Sequence, residues 1–441
     1  MPPTVTLNLD GLTASALFLR GSLDKLDIHP NYAHAGRYKS AVETYTQSRM
    51  SAPAREALES LLDDAFVMLI DSLSSARGLT SDSVRALIDA GPRSAEEAWA
   101  AGLIDTVLYS AEVDSLAEDR AGDNADHISL ARYAERSSSS HGVRIAYVAG
   151  AGTIVPGRSR LSPSEGEMLG AETLIDALED ARKRSSIKAI VLRVDSPGGA
   201  VEAADAMWHE VRRCAAEKPL IVSMSDYAAS GGYYISAPAQ QIVAQPGTIT
   251  GSIGVFGGKL NLMGLMQKLG MNVETVSRGR FAEMLSPYRD FTPEEARRFQ
   301  ERIDANYRTF LDHVAEGRDV TVSWADSVGQ GRVWSGRSAL ELGLVDTLGG
   351  IPLAFQLALQ EAGLDPDADY SVEVLPRVER TFLDRVIEDW LSDSEDPDAG
   401  VGAGAGAGAE ALSPVVRAWI AAARFPSGSV LALLPWSIQI R

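Results

Sequence analysis

The residues able to do chemistry are few, and two short stretches hold most of them. In KPLIVSMSDYAASGGYY (residues 218–234) an apolar run, Leu220, Ile221, Val222 and Met224, predicts a buried parallel strand. Small residues, two glycines and an apolar pattern at helical spacing follow. Ser230 therefore sits at the carboxyl end of a strand and the amino end of a helix, where backbone N–H groups lack helical partners and can stabilise a developing oxyanion. Gly231 would supply the first such donor. Helix capping is the plainer reading of a serine in this place. The second stretch, VDSPGGA (residues 194–200), is a glycine-rich turn at the end of another predicted strand. Such a turn lets backbone approach a bound carbonyl closely. Paired with the serine turn, it suggests a two-part oxyanion hole made of Gly199 and Gly231.

A serine nucleophile needs a base. None of the six histidines falls where a triad would need one: His209 and His313 lie inside helical patterns and the others in predicted loops. A lysine can do the work if its amine is uncharged near neutral pH. That requires a drop of about three units from ~10.4, equivalent to roughly 4 kcal/mol, which burial in apolar surroundings can supply.

Composition narrows the classes. The chain has 441 residues, 45% of them hydrophobic, enough for two or three domains with sizeable cores. A net charge of −19 argues against nucleic-acid binding and against adhesion to anionic lipid. The single cysteine, Cys214, excludes an intramolecular disulfide and a thiolate metal cluster, and its helical surroundings predict a core position. No cofactor or metal is implied. Neither a secretory signal nor a stretch of ~18 apolar residues is evident, so a cytoplasmic or peripheral membrane location is expected.

The elements that position these residues show a repeat. GRYKSAV at Gly36 aligns with GRFAEML at Gly279, an interval of 243 residues (279 − 36). Each is followed by an amphipathic helix pattern, with Leu58, Leu61, Leu62, Ala65, Phe66, Leu69 and Leu73 in the first copy. Phe299, Ile303, Tyr307, Phe310 and Val314 mark the second, opened by a Thr292/Glu295 capping box. AAGLIDTV and ELGLVDTL close the copies, and PPTVT at the amino terminus echoes PGTIT at Pro246. The first copy thus reads as incomplete, lacking a strand-rich half that the second has.

Strands are expected over 143–155 and 188–194, with helices over 174–183 and 201–215. The alternation implies an α/β fold with a mainly parallel sheet. The segments read as 1–115, the carboxyl part of a first repeat; 116–141, a serine-rich linker; and 142–355, a complete second repeat. Beyond these lie 356–390, an extension; 391–412, an acidic, glycine-rich tether; and 413–441, a terminal segment. The apolar SGSVLALLPWSIQIR within that last segment is expected to dock as a strand, with contact to a partner or a membrane surface as the other reading.

VDSPGG, DYAASGGYYIS and GTITGSIGVFG, in that order, resemble the motifs of the signal peptide peptidase A family. These are serine/lysine peptidases with the spiral fold shared by Clp protease and crotonase. The resemblance implies that Ser230, in AASGG, is the nucleophile. In short single-repeat members the base follows the serine, at a position that corresponds here to Ala282, so that base is missing. In long tandem members it lies in a segment that GRYKSAV resembles, which places it at Lys39, the repeat counterpart of Ala282. Ser252, in TGSIG, matches a serine that holds the lysine amine. Asp195 is expected to anchor its turn rather than act as an acid.

The resemblance further implies hydrolysis of peptides with small or apolar residues near the cut, including remnant signal peptides, and ring-like or bowl-shaped homo-oligomers. Two other readings stand beside it: a non-catalytic peptide-binding or assembly scaffold with a misplaced lysine, and acyl-CoA chemistry on the crotonase-like fold, which would leave Ser230 without a role.

Overall fold

The computed structural model describes residues 1–122, 128, 142–162, 166–376 and 430–433. The sequence-based tether at 391–412, most of the linker, and all of the terminal segment except 430–433 lie outside these. Two compact units are present. One comprises Met1–Ser15 with the described residues of Glu59–Ser140; the other comprises Ala16–Leu58 with the described residues of His141–Ser437.

Seventeen strands are present among the described residues. In order these are β1 (Thr6–Leu7), β2 (His29–Ala35), β3 (Arg93–Ser94), β4 (Val143–Ala151), β5 (Thr153–Val155), β6 (Arg160–Ser162), β7 (Gly166–Gly170), β8 (Ile187–Ser196) and β9 (Gly198–Ala200). There follow β10 (Leu220–Ala229), β11 (Gln241–Ala244), β12 (Ile249–Gly251), β13 (Val255–Asn261), β14 (Val333–Ser335), β15 (Thr347–Leu348), β16 (Tyr370–Leu375) and β17 (Val430–Leu433).

In the first unit β1 and β3 pair antiparallel, and Ile70, Val84 and Ile88 are buried with Phe66, Leu69 and Leu73 packed around them. Ile70, Phe66, Leu69 and Leu73 lie on the Ala52–Arg77 helix, which the apolar spacing of the first repeat predicted. The helix Ser110–Ala121 runs into the segment read from sequence as linker.

The second unit is built on an eight-stranded sheet with the path β14-β12-β10-β8-β4-β16, with β11 also paired to β10 and β15 paired to β11. Apart from the antiparallel β12–β14 pair, its pairings are parallel. Both faces of its centre are covered, which explains why these strands read as continuous apolar runs. Ile190, Leu192, Val194, Leu220, Val222 and Met224 belong to the main core with the helices Ala171–Lys183, Val201–Glu217 and Pro293–Arg318. The alternate residues Ala189, Val191 and Ile221 pack against Phe355, Ala358 and Leu359 of the opposite face.

Phe299, Ile303, Tyr307, Phe310 and Val314 are all buried along the Pro293–Arg318 helix, and Thr292 and Glu295 form the expected capping box. Burying each such large side chain is worth ~1.5–3 kcal/mol. Cys214 is buried in the same core, and burial pushes its thiol up to about 12, so it is an inert core residue. A seven-stranded sheet, β2-β13-β17-β9-β5-β7-β6, completes the unit. Through β2 it carries the segment that leads into Lys39.

Candidate active site

Adjacent parallel strands deliver the two glycine-bearing turns. β8 and β10 run side by side, with Ser196 opposite Ala228 near their carboxyl ends. β8 leads directly into β9, and Ser196 Oγ fixes that corner by donating to the Gly152 carbonyl (2.7 Å) and accepting from the Gly198 amide (3.2 Å). Gly198 has φ +98°, and a side chain on Gly199 would put its Cβ 2.0 Å from the Ile154 carbonyl oxygen, so the turn needs both glycines. Asp195 accepts from the Tyr227 amide at 3.3 Å, an anchor between β8 and β10 as its turn position suggested.

β10 ends at Ala229, and the Gly231–Ser236 helix begins two residues later. Between them Ser230 adopts φ +57°, ψ −112°, a backbone conformation costly for a residue with a Cβ. Its amide donates to the Gly251 carbonyl at 2.8 Å, tying the turn to β12. Gly231 occupies the first helical position, where an amide has no partner one turn earlier. Gly232 allows the close packing beneath: a Cβ there would come 2.6 Å from the Ser196 carbonyl oxygen.

Lys39 arrives from the other sheet. After β2, Gly36 turns at φ +103°, the Lys39 amide donates to the Gly36 carbonyl (3.2 Å), and a short helical turn Ser40–Val42 follows. The Lys39 Nζ lies 2.8 Å from Ser230 Oγ and 3.0 Å from both the hydroxyl and the carbonyl oxygen of Ser252. Lys39 is 1% exposed and Ser230 and Ser252 are fully buried. Desolvation holds the amine well below its ordinary value near 10.5. The residues brought together are thus Ser230, Lys39 and Ser252, all in one chain and within the second unit. A buried amine that is uncharged can take a proton from a hydroxyl within hydrogen-bond reach.

The described histidines are not among the partners of this cluster. Among the described residues, His29 is paired with Asp27 and Asp290 at the surface, His34 contacts the Gly36 carbonyl, and His313 stacks on Trp208. Among the described residues no group of three or more His, Cys, Asp or Glu side chains is arranged to hold a metal ion.

One loop was not legible in the sequence. Residues 329–332 hold both the lysine and its companion serine. The Gln330 carbonyl accepts from the Tyr38 amide (2.7 Å), the Gln330 side chain accepts from the Arg37 amide (3.1 Å), and the Arg332 carbonyl accepts from the Ser252 amide (2.7 Å). Gly331, at φ +75°, packs so tightly that a Cβ would fall 2.6–2.8 Å from the Lys39 backbone nitrogen, Cβ and Cα. Arg332 lies over the Tyr38 and Trp334 rings and pairs with Glu56. The closely spaced glycines of SVGQGRVW were the available signal, but without the fold they read as an ordinary loop.

Comparison with known proteins bears on this arrangement. The family model described as Peptidase family S49 matches residues 1–123 and 212–365. The chain belongs to peptidase family S49. Its similarity to S49 relatives runs through most of its length. It is 36% identical over 393 residues to the chloroplastic serine protease SPPA of Arabidopsis thaliana, covering 87% of this chain and 58% of that protein. It is 33% identical over 403 residues to Protease 4 of Salmonella typhi, covering 88% and 63% of the two chains, and 31% identical over 397 residues to Protease 4 of Haemophilus influenzae, covering 83% and 62%. The S49 chain therefore spans about three fifths of the length of these relatives. Among its described residues no helix is long and apolar enough to cross a membrane.

Proposed function

We propose that this S49 chain is a serine endopeptidase working through a Ser230/Lys39 dyad. The observation that carries the reading is the buried amine, held well below its ordinary value by desolvation, 2.8 Å from the Ser230 hydroxyl. Lys39 takes the Ser230 proton as Oγ attacks a peptide carbonyl, and the amides of Gly199 and Gly231 hold the oxyanion. The protonated amine then gives its proton to the departing amide nitrogen. Water, activated by the same amine, cleaves the acyl ester and restores the serine.

Ser252 keeps the amine aimed at Ser230 through its hydroxyl and carbonyl. The names of the relatives, serine protease and Protease 4, favour peptide hydrolysis, the first of them by a serine. The resemblance to signal peptide peptidases argues for extended apolar peptides, remnant signal peptides among them, for the spiral Clp/crotonase-like fold, and for a homo-oligomer at or near a membrane. A scaffold with a misplaced lysine is disfavoured by the in-chain hydrogen-bond distance.

The test is hydrolysis of an extended apolar peptide by the full chain, with Ser230→Ala and Lys39→Ala alongside. Turnover by the wild type that disappears in both variants is expected. A folded wild type that turns over no peptide and reacts with no serine probe would contradict the reading.

A further inference from the structure

The loop that holds Lys39 is itself held by a second set of bonds. Gln330 adopts φ +52° and Gly331 φ +75°. A left-handed Gln costs free energy and persists only where its surroundings fix it, most often at sites that need a defined geometry. Toward the Lys39 segment Gln330 uses its oxygens: the carbonyl accepts from the Tyr38 amide (2.7 Å) and Oε1 from the Arg37 amide (3.1 Å). Its donors go elsewhere. The Gln330 backbone amide donates to Tyr307 Oη at 3.0 Å, and Nε2 donates to Asp326 Oδ1. Tyr307 Oη in turn donates to the same Asp326 oxygen at 2.7 Å.

Tyr307 belongs to the buried stripe of the Pro293–Arg318 helix with Phe299, Ile303, Phe310 and Val314, and alone among these five it carries a hydroxyl. Asp326 lies on the next helix, Val322–Val328, which ends at Gly329. Phenylalanine would fill the core as well, so the hydroxyl has another purpose. A phenol has one proton to donate. With that proton committed to Asp326, its lone pairs are left for the Gln330 amide. Asp326 therefore fixes the direction of the hydrogen-bond chain as well as its end. Burial, and then the bond to Asp326, pushes the Tyr307 hydroxyl up, so it keeps that proton.

We propose that Tyr307 and Asp326 are positioning residues for the Lys39 amine, acting through the left-handed Gln330 on the backbone of Arg37 and Tyr38. This rests on Lys39 being the base for Ser230. The same loop also holds the amine's other partner, since the Gly331 amide donates to the Ile253 carbonyl and the Ser252 amide to the Arg332 carbonyl, both at 2.7 Å. Released from Tyr307, the loop loosens Lys39 and Ser252 together. The charged side chains flanking the lysine segment, Arg37, Glu56 and Arg332, gather on the Tyr38 ring and hydroxyl, and desolvation is what lowers the Lys39 amine.

The experiment uses the full chain with Tyr307→Phe, which keeps the ring and removes the hydroxyl, and with Asp326→Ala beside Asp326→Asn, which keeps an oxygen acceptor. Each is measured for kcat and KM on a fluorogenic apolar peptide and for the rate constant of fluorophosphonate labelling against pH. Loss of folded protein lowers the amount labelled but not the rate constant of the remainder, so misfolding is not mistaken for mispositioning. Tyr307→Phe and Asp326→Ala should lower kcat ~10–10²-fold, as a misplacement of about 1 Å does, with KM changed less than about twofold. A loosened amine gains water and moves back toward its ordinary value near 10.5, so the acid limb of labelling should shift to higher pH in both. Asp326→Asn should label faster than Asp326→Ala. An unchanged rate constant in Tyr307→Phe, or a lower one with the acid limb in place, overturns the proposal and leaves the dyad standing. If wild type does not label, or Lys39→Ala labels with the wild-type profile, the dyad reading fails and the proposal falls with it.

Discussion

The two copies of the glycine turn, at Gly36 and Gly279, share a backbone and differ in everything around it. Gly36 has φ +103° and Gly279 φ +101°. In the first the Lys39 amide donates to Gly36, and in the second the Ala282 amide donates to Gly279, at 3.2 and 3.3 Å. A Cβ on Gly36 would strike the Gln330 backbone at 2.5 Å, whereas one on Gly279 would have only the Ala282 Cβ nearby, at 4.0 Å. Lys39 is buried and Ala282 is exposed. The same bracket therefore carries a side chain to the Ser230 hydroxyl only where the 329–332 loop packs against it. Local sequence sets the turn; tertiary packing sets the amine's burial, which lowers its pKa.

A second buried lysine sharpens the point. Lys259 is 2% exposed and its amine is also lowered by burial, yet it donates to the Ser286 carbonyl at 2.8 Å and sits over the Phe291 ring, with Asp290 and Glu295 opposing the shift. A depressed lysine whose amine is held by a backbone carbonyl and an aromatic ring is a structural residue. Burial is necessary for the proposed base, and the 2.8 Å partner makes the difference.

Several variants would break the comparison between the copies. The largest effect is expected for Lys39→Ala and Ser230→Ala, each lowering kcat/KM for peptide by at least ~10⁴-fold, as for members of other catalytic units. Next comes Gly331→Ala, whose Cβ must displace the lysine backbone and strain a left-handed residue. A shift of the amine by about 1 Å should cost ~10²-fold in kcat while circular dichroism stays native. Ser252→Ala removes one of two contacts that Ser252 makes to the amine and should cost roughly tenfold, the worth of one hydrogen bond. At the small end, Ala282→Lys should change activity less than twofold and should fail to rescue Lys39→Ala. Rescue would show that the second turn also reaches the serine.

Much of this was legible beforehand. Ser230 and the Pro-Gly-Gly turn announced themselves through strand ends and small residues, and the capped helix at Thr292 through its spacing. Lys39 became visible only through the resemblance to long tandem members of the family, which the 243-residue repeat supported, because a lone lysine in a short loop carries no local sign of burial. The 329–332 loop was missed because its function is to touch residues nearly 300 positions earlier, and no local pattern encodes that. The terminal apolar segment was expected to dock as a strand, but its register against Gly199 depends on two strands, β9 and β13, that are distant from each other in sequence.

Proton linkage offers a stability check. Lys39 in the folded chain titrates below its unfolded value, so between those two values the unfolded chain binds the extra proton, and stability rises with pH across that window. The slope is about 1.4 kcal/mol per pH unit for one proton. In Lys39→Met the difference from wild type in urea midpoint should grow in step, with wild type gaining on the variant as pH rises toward 10.5.

The most direct measurement is the pH dependence of fluorophosphonate labelling at Ser230. With an uncharged Lys39 as base, wild type labels near neutrality and the rate falls as pH drops through the depressed lysine value, while Lys39→Ala loses labelling across that range. Equal labelling of wild type and Lys39→Ala, with the same pH profile, would contradict the account.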